Sequence, residues 1–330
     1  MSAPVTESAA PHRDDYWAAV SAGDAAGAHA VAARALADGT DVETFLQEVV
    51  VEAQRRVGEL WATNDWSVAQ EHAATAVSEA VVRRLADTLP VGSGPLLLVG
   101  CAEREWHAMP ALVLTTTLRA RGLDAVHTGA STSRDELVSA ILDRGPRAVL
   151  LSASLSSSLP RLRRQVEAVR GTGTPVVVGG RAFTGGERWR TLGATAYAAS
   201  PAHAVTVLAD LPRHVGPAVP LTHPGATESR TLQAAADRVV RDVLAALDLG
   251  HLALPPDDWR VVLATHTSHV VDSVASALLC DDASVLVEAR AWLGEVVTGR
   301  GGDPAAVGRL WEALAHELRD FPAALAMLRA

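Results

Sequence analysis

The 330-residue sequence contains no lysine, so every permanently cationic side chain is an arginine. Schiff-base enzymes on pyridoxal phosphate, retinal sensors and P-loop nucleotide binders each need a lysine at the working position, and all three classes are excluded. Cysteine is nearly absent, and Cys101 with Cys280 makes no disulfide framework. No apolar run reaches the about eighteen residues that a membrane span requires. The opening MSAPVTESAAPHRDD has no basic segment followed by an apolar one, so a soluble, cytoplasmic protein without membrane contact is expected. A net charge of -9 and the lack of a long basic run argue against a nucleic-acid partner. Aromatic residues make up only 4% of the chain. Against that scarcity, WATNDWSVAQEHAAT at residues 61–75 stands out, with two tryptophans around an Asn-Asp break and a Glu-His pair just after it.

Three patterned regions follow one another. After a disordered start over residues 1–13, residues 14–90 read as a four-helix bundle with short links. Leu46, Val49, Ala53, Val57 and Leu60 recur at helical spacing. Thr40 with Glu43, and Ser67 with Gln70, read as capping boxes, the second of which starts a helix just past Trp66. In residues 91–211 the apolar runs PLLLVG, DAVHTG, RAVLLS, TPVVVGG and ATAYAA alternate with helical segments. This is the pattern of a five-stranded, doubly wound parallel sheet of flavodoxin-like type. A linker at 212–227 lies within a stretch that carries four prolines. Residues 228–330 are helical again, with a break at GRGGDP. The fold class is therefore α/β plus all-α.

Ligands of open parallel sheets sit beyond the carboxyl ends of the strands. After the first strand comes CAEREWHAMP, where Glu105 stands two residues before His107. A carboxylate at that spacing can hold one imidazole nitrogen and make the other more basic, as it does for metal-bound histidines. The third strand is followed by SASLSSS, small hydroxyls that leave room and offer hydrogen bonds, with Ser152 and Ser154 at its start. The fourth ends in Gly179-Gly180, where missing side chains admit a close approach to the backbone.

The order His107, Ser152, Gly179-Gly180 resembles the cobalamin-binding module of methionine synthase and its relatives, with its D-x-H-x-x-G, S-x-L and G-G pattern. The resemblance implies His107 as lower cobalt ligand, with the displaced nucleotide tail passing the Ser and Gly positions. Glu105 stands for the Asp, Pro110 for the motif Gly and Ser154 for the Leu. Trp61, nine residues and then Glu71-His72 resembles the W-x9-E-H signature of cobalamin-dependent photoreceptors. That resemblance implies that Trp61, Glu71 and His72 line the upper-ligand side, typically around 5′-deoxyadenosyl. Trp66 reads as a core, lid or staple residue. The repressors of that family carry a winged helix-turn-helix ahead of the bundle, for which the residues before the first helix leave no room. They also carry a histidine directly after the Trp, where this chain has Ala62.

The C-terminal helices are similar to the globin-like photoglobin domains of photocobilins, in which a bilin is the second chromophore. The similarity implies a biliverdin-type linear tetrapyrrole, with Arg260, His266, His269 and Arg290 as candidate contacts. Imidazole and guanidinium groups suit its lactams and propionates. Cys280 is either a thioether site or a small buried hydrophobe. The resulting expectation is a non-enzymatic light sensor on adenosylcobalamin and a bilin, possible as a homodimer, with no effector named by its sequence. The alternatives are a corrinoid methyl carrier or cobalamin-enzyme component, and a cobalamin module whose tail dimerises or docks a partner.

Overall fold

A computed structural model describes residues 10–184, 187–250 and 253–329. The chain divides into two compact units, residues 1–99 with 108–127, and residues 100–107 with 128–330.

The first unit opens with α1 (Ala10–Ser21) and α2 (Ala25–Ala37). Next, α3 (Val42–Phe45) runs through a π-helical turn, Leu46–Val50, into α4 (Val51–Ala62), and α5 (Val68–Thr88) completes the bundle. Residues 10–13 are thus helical and not part of a disordered tail, while the rest of that expected tail, residues 1–9, lies outside the described residues. The apolar positions spaced at 46, 49, 53 and 57 are buried with Tyr16, Val31, Phe45, Val77 and Val81, as an amphipathic stripe requires. The Ser67 capping box forms with Gln70. The one expected at Thr40 does not: Asp41 caps instead, accepting from the Thr44 N–H, and Thr40 is buried. Asp41 directly precedes Val42, the first helical residue, so its carboxylate and not the Thr40 hydroxyl is in reach of the free first-turn N–H groups. Trp66 stacks on Trp17, centroids 5.5 Å apart, with the Arg56 guanidinium 4.1 Å over Trp17. Trp66 is therefore a bundle-packing residue. The unit continues into β1 (Ser93–Cys101), α6 (Met109–Ala120) and β2 (Leu123–His127). Pro110 lies in the first turn of α6, where its missing N–H would have had no partner.

The second unit carries α7 (Arg134–Arg144), β3 (Ala148–Ser152), α8 (Leu159–Gly171), β4 (Val176–Gly179), α9 (Arg188–Thr191), β5 (Ala196–Ala198) and α10 (Pro201–Asp210). The five strands are parallel in the order β2-β1-β3-β4-β5, the flavodoxin-like order expected from the repeats. After the proline-bearing stretch come α11 (Pro224–Ala246), α12 (Trp259–Cys280), α13 (Ser284–Gly299), α14 (Ala305–Glu317) and α15 (Pro322–Arg329). Their core joins Leu232, Val239, Val274, Leu278, Leu293, Leu310 and Leu314. The Glu228 carboxylate caps α15, accepting the Ala323 and Ala324 N–H groups at 3.0 Å.

The segment read as a linker ends earlier than residue 227, because His223 already caps α11. It is also strapped down: Arg147 donates to Pro212 O (2.9 Å), Arg170 to Gly216 O (2.9 Å) and Arg163 to Val219 O (2.6 Å). Among the described residues no helix is long and apolar enough to cross a membrane.

Two histidines make the folded state sensitive to acid. Burial first, then the Arg83 charge, pushes His127 down to about 4 from 6.5. Burial, followed by the His269 and Arg300 charges, does the same to His266. The unfolded chain takes up both protons as pH falls through 6.5, while the folded chain does so only near 4, so stability present at neutral pH is lost across that window. At about 1.4 kcal/mol per pH unit the ceiling is about 3 kcal/mol for each ring. Denaturant midpoints are expected to fall between pH 7.5 and pH 4.5, with a shallower fall in His266→Gln.

Candidate functional site

The carboxyl ends of β1, β3 and β4 meet around the loop of residues 101–107, and the residues described next all belong to the second unit. That loop is fastened from three sides. The Glu103 N–H donates to Gln165 Oε1 at 3.0 Å, and the Gln165 amide donates to Thr132 O at 2.8 Å. Arg104 and Ser131 both take left-handed backbone angles, φ 63° and 54°, which strain non-glycine residues. They stabilise each other: the Arg104 N–H donates to Ser131 Oγ, and the Ser131 N–H donates to Glu105 O, each at 3.0 Å. The Ala102 N–H donates to Ser152 O, and the Ala153 N–H to Gly179 O, both at 2.9 Å. In this way the loop is stitched to the end of β3, which is in turn stitched to the end of β4.

Glu105 and His107 point to different environments. The Glu105 side chain is 1% exposed, that of His107 57%. One Glu105 oxygen pairs with His107 Nδ1. The other accepts the Ser154 N–H (3.2 Å), the Leu155 N–H (3.1 Å) and the Ser158 hydroxyl (3.1 Å). Burial alone would raise the Glu105 carboxyl. The His107 hydrogen bond and charge, with the Leu155 and Ser158 donors, nonetheless hold it below its ordinary value. A buried anion with its hydrogen bonds filled thus fixes the imidazole through Nδ1, and the remaining nitrogen, Nε2, is the one suited to bind a metal.

The hydroxyl run after β3 offers hydrogen bonds to groups of the protein itself. Ser156 accepts from Arg188 at 3.3 Å, Ser157 lies 3.5 Å from His269 Nδ1, and Ser158 donates to Glu105. These hydroxyls are engaged by protein groups and do not simply leave room. Ser154 contributes its backbone N–H, which donates to Glu105. The glycine pair also has an internal reason. A Cβ on Gly180 would stand 2.3 Å from Ala153 O, and one on Gly179 would stand 2.8 Å from Ala198 O. Both glycines are required for backbone to pass backbone.

Residues 12–86 and residues 95–208 each match a model described as a B12 binding domain. The chain carries two B12 binding domains. It is a cobalamin-binding protein, and the five-stranded parallel sheet is the frame of its second such domain. No curated protein matches the chain. Among solved structures, the monomethylamine corrinoid protein of Methanosarcina barkeri aligns at 20% identity with a TM-score of 0.49, over 60% of this chain and 97% of that one. A cobalamin-binding protein from Desulfitobacterium hafniense DCB-2 aligns at 20% identity and TM-score 0.32, over 58% and 94%. The methanol:cobalamin methyltransferase complex MtaBC from Methanosarcina barkeri aligns at 15% identity and TM-score 0.32, over 63% and 87%.

The donor set fits a corrinoid, because a macrocycle that already holds its metal needs only an axial base. His107, largely exposed on the loop with its Nδ1 held by a buried carboxylate, has the chemistry to supply one. In the first unit, Trp61 lies in the last turn of α4 and Glu71 with His72 in the first turns of α5. The chain reverses between them through Asn64, at φ 64°. Glu71 pairs with His72 and accepts the Thr75 hydroxyl at 3.1 Å. His72 stays largely exposed, whereas Trp61 and Glu71 are half-buried.

Of the four bilin candidates, His266 and His269 are brought together, centroids 5.6 Å apart. Arg260 is engaged by Asp258 at its helix cap, and Arg290 lies 5.5 Å over Trp311. Trp292, stacked on His266 at 5.0 Å, and the buried Arg300 belong to that cluster and gave no signal in the sequence. Neither did Gln165, whose fully buried amide lies in an otherwise ordinary amphipathic segment. Cys280 is buried and its thiol is pushed up to about 12, by burial first, which identifies it as a packing residue.

Proposed function

We propose that this cobalamin-binding protein is a light sensor and not an enzyme, holding adenosylcobalamin over His107 and a biliverdin-type bilin in a globin-like C-terminal domain. Adenosylcobalamin absorbs visible light and supplies a cobalt–carbon bond that light breaks. The protein's own residues do the rest. Glu105 holds His107 in one tautomer and orientation as the lower ligand. Trp61, Glu71 and His72 would line the upper-ligand side, where an aromatic cover and a charged pair select a nucleoside over a methyl group. Contacts that exist only while the upper ligand is present are what a population shift between dark and lit arrangements requires.

The observation that carries the reading is the α4–α5 connection. It sets Trp61 and Glu71, both half-buried, and the exposed His72 around one short turn, with Trp66, also half-buried, stacked on Trp17. The bilin part of the reading is supported by His266, stacked on Trp292 and met edge-on by His269, an aromatic and imidazole cluster on the C-terminal helices.

The test is an absorption spectrum of the full-length protein reconstituted in the dark with adenosylcobalamin and biliverdin, then illuminated. The expected result is a green-light change from cobalamin, a red-shifted biliverdin band, and a weaker preference for adenosyl- over methylcobalamin in Trp61→Ala. A spectrum indifferent to light would overturn the sensor reading and leave the methyl carrier in its place. A light response without biliverdin binding would remove the second chromophore alone.

A further inference from the structure

The serine triplet of the 3-10 turn Ser156–Ser158, just after β3, connects the cobalt-ligand loop to the C-terminal helices. Ser158 donates to Glu105, the carboxylate that holds His107. Ser157, the residue before it, faces His269 Nδ1 at 3.5 Å, and Ser156 accepts from Arg188. Four residues beyond Ser157, on the first turn of α8, Arg161 forms a 2.9 Å ion pair with Asp272, both side chains being mostly buried. Residues 157 and 161 are one helical turn apart, and so are His269 and Asp272. One face of α12 therefore grips the 3-10 turn Ser156–Ser158 and the start of α8 at two points. His269 is close enough for the charges of Glu105 and His107 to act on it.

That grip matters because of what the turn supplies. Of the groups that hold Glu105, the Ser154 N–H, the Leu155 N–H and the Ser158 hydroxyl all come from residues 154–158. A turn free to move would carry these donors with it, and the carboxylate could then no longer fix the imidazole. Hydrogen bonds to an ionised acceptor weaken steeply with misalignment.

We propose that His269 and Asp272 are positioning residues for the lower cobalt ligand, acting through Ser157 and Arg161 on the turn that holds Glu105. The C-terminal domain then sets how firmly His107 is presented to the metal, so that a change in that domain is felt at the cobalt. The inference rests on His107 being the lower ligand.

The experiment uses the full-length protein loaded with cob(II)alamin, whose paramagnetic resonance spectrum shows nitrogen splitting from an axial base, with 15N-labelled histidine identifying the protein imidazole. His107→Ala is measured first. If the histidine splitting survives there, the lower-ligand reading has failed, and this inference with it. Where His107→Ala abolishes the splitting, His269→Ala with Asp272→Ala is expected to leave part of the cobalt without a histidine signature. Cobalamin affinity should drop about tenfold, the low end of what loss of an outer partner costs a metal site. His269→Gln with Asp272 intact, whose amide can still reach Ser157 and which leaves the Arg161 ion pair in place, should keep both near the wild-type values. Ser157→Ala removes the hydroxyl alone and is expected to act in the same direction, which covers the case in which the double variant does not fold. Unchanged splitting and an affinity within about twofold in Ser157→Ala and in the folded double variant would overturn the proposal, since purely structural contacts would shift melting without touching the cobalt spectrum.

Discussion

His107→Ala is expected to bind cobalamin at least about 100-fold more weakly, or with the cofactor's own base coordinated, because the loss of even an outer-shell partner costs metal affinity 10- to 100-fold. The variant should fold normally. His107 is more exposed than buried, and its removal leaves Glu105 still accepting three hydrogen bonds from Ser154, Leu155 and Ser158. Glu105→Ala should behave differently. It orphans two backbone N–H groups and a hydroxyl at a site where the carboxylate is 1% exposed, at about 1–3 kcal/mol for each buried group left unpaired. Stability and cobalamin affinity should therefore fall together in Glu105→Ala and separately in His107→Ala. Glu105→Gln keeps the shape and one acceptor oxygen, so its affinity should lie between the two. Titration of adenosylcobalamin into each variant, followed by absorbance and paired with urea melts, checks all three. Wild-type affinity in His107→Ala would show that the imidazole is not a ligand.

The layout of the chain was legible because it rests on periodicity. Strands read from runs such as RAVLLS and TPVVVGG lie where β3 and β4 form, since a strand buried on both faces is apolar throughout. The Glu105–His107 pair was legible for a local reason: two residues at that spacing on a tight loop meet whatever surrounds them. The supports of that pair were not. Gln165 is 62 residues from the Glu103 N–H that it holds, and Ser158 is 53 from Glu105. A polar residue on a helix looks the same in sequence whether it faces water or a loop. The glycine pair was legible as a position, and the fold adds a cause that the sequence does not carry, Ala153 O lying against Gly180. The capping error at Thr40 arose from two adjacent capping-competent residues, of which the sequence pattern favours the one with Glu at N3. Arg260 and Arg290 were named by proximity in sequence to the histidines. Within the fold Arg260 pairs with Asp258, and Arg290 lies over Trp311.

The second large effect is expected at Arg188, which carries no cofactor chemistry. Its side chain is 2% exposed and donates to Asp282 at 2.7 Å, Glu288 at 2.9 Å, Ser284 at 2.9 Å and Ala182 O at 3.0 Å. One guanidinium thus joins α9 and the end of β4 to the start of α13. Burial works to lower its pKa, and the hydrogen bonds and charges of Glu288 and Asp282 more than reverse that. Arg188→Ala leaves both acids facing a hole with no cation, and breaking a buried pair from one side costs about 3–5 kcal/mol. Exposure of the Glu288 side chain, at 50%, lets water recover part of that loss and favours the lower end. Arg188→Met fills the space and still strands Asp282 and Glu288, so it should remain destabilised. Arg188→Met with Asp282→Asn and Glu288→Gln removes the unpaired charges as well and should regain most of the stability, because a buried ion pair adds little beyond what an apolar side chain of similar volume supplies. Urea denaturation of the four proteins measures this. The order wild type, triple variant, Arg188→Met, Arg188→Ala would identify desolvated, unpaired acid as the dominant cost, whereas equal stability of all four would show that the guanidinium contributes nothing to holding the helices on the sheet.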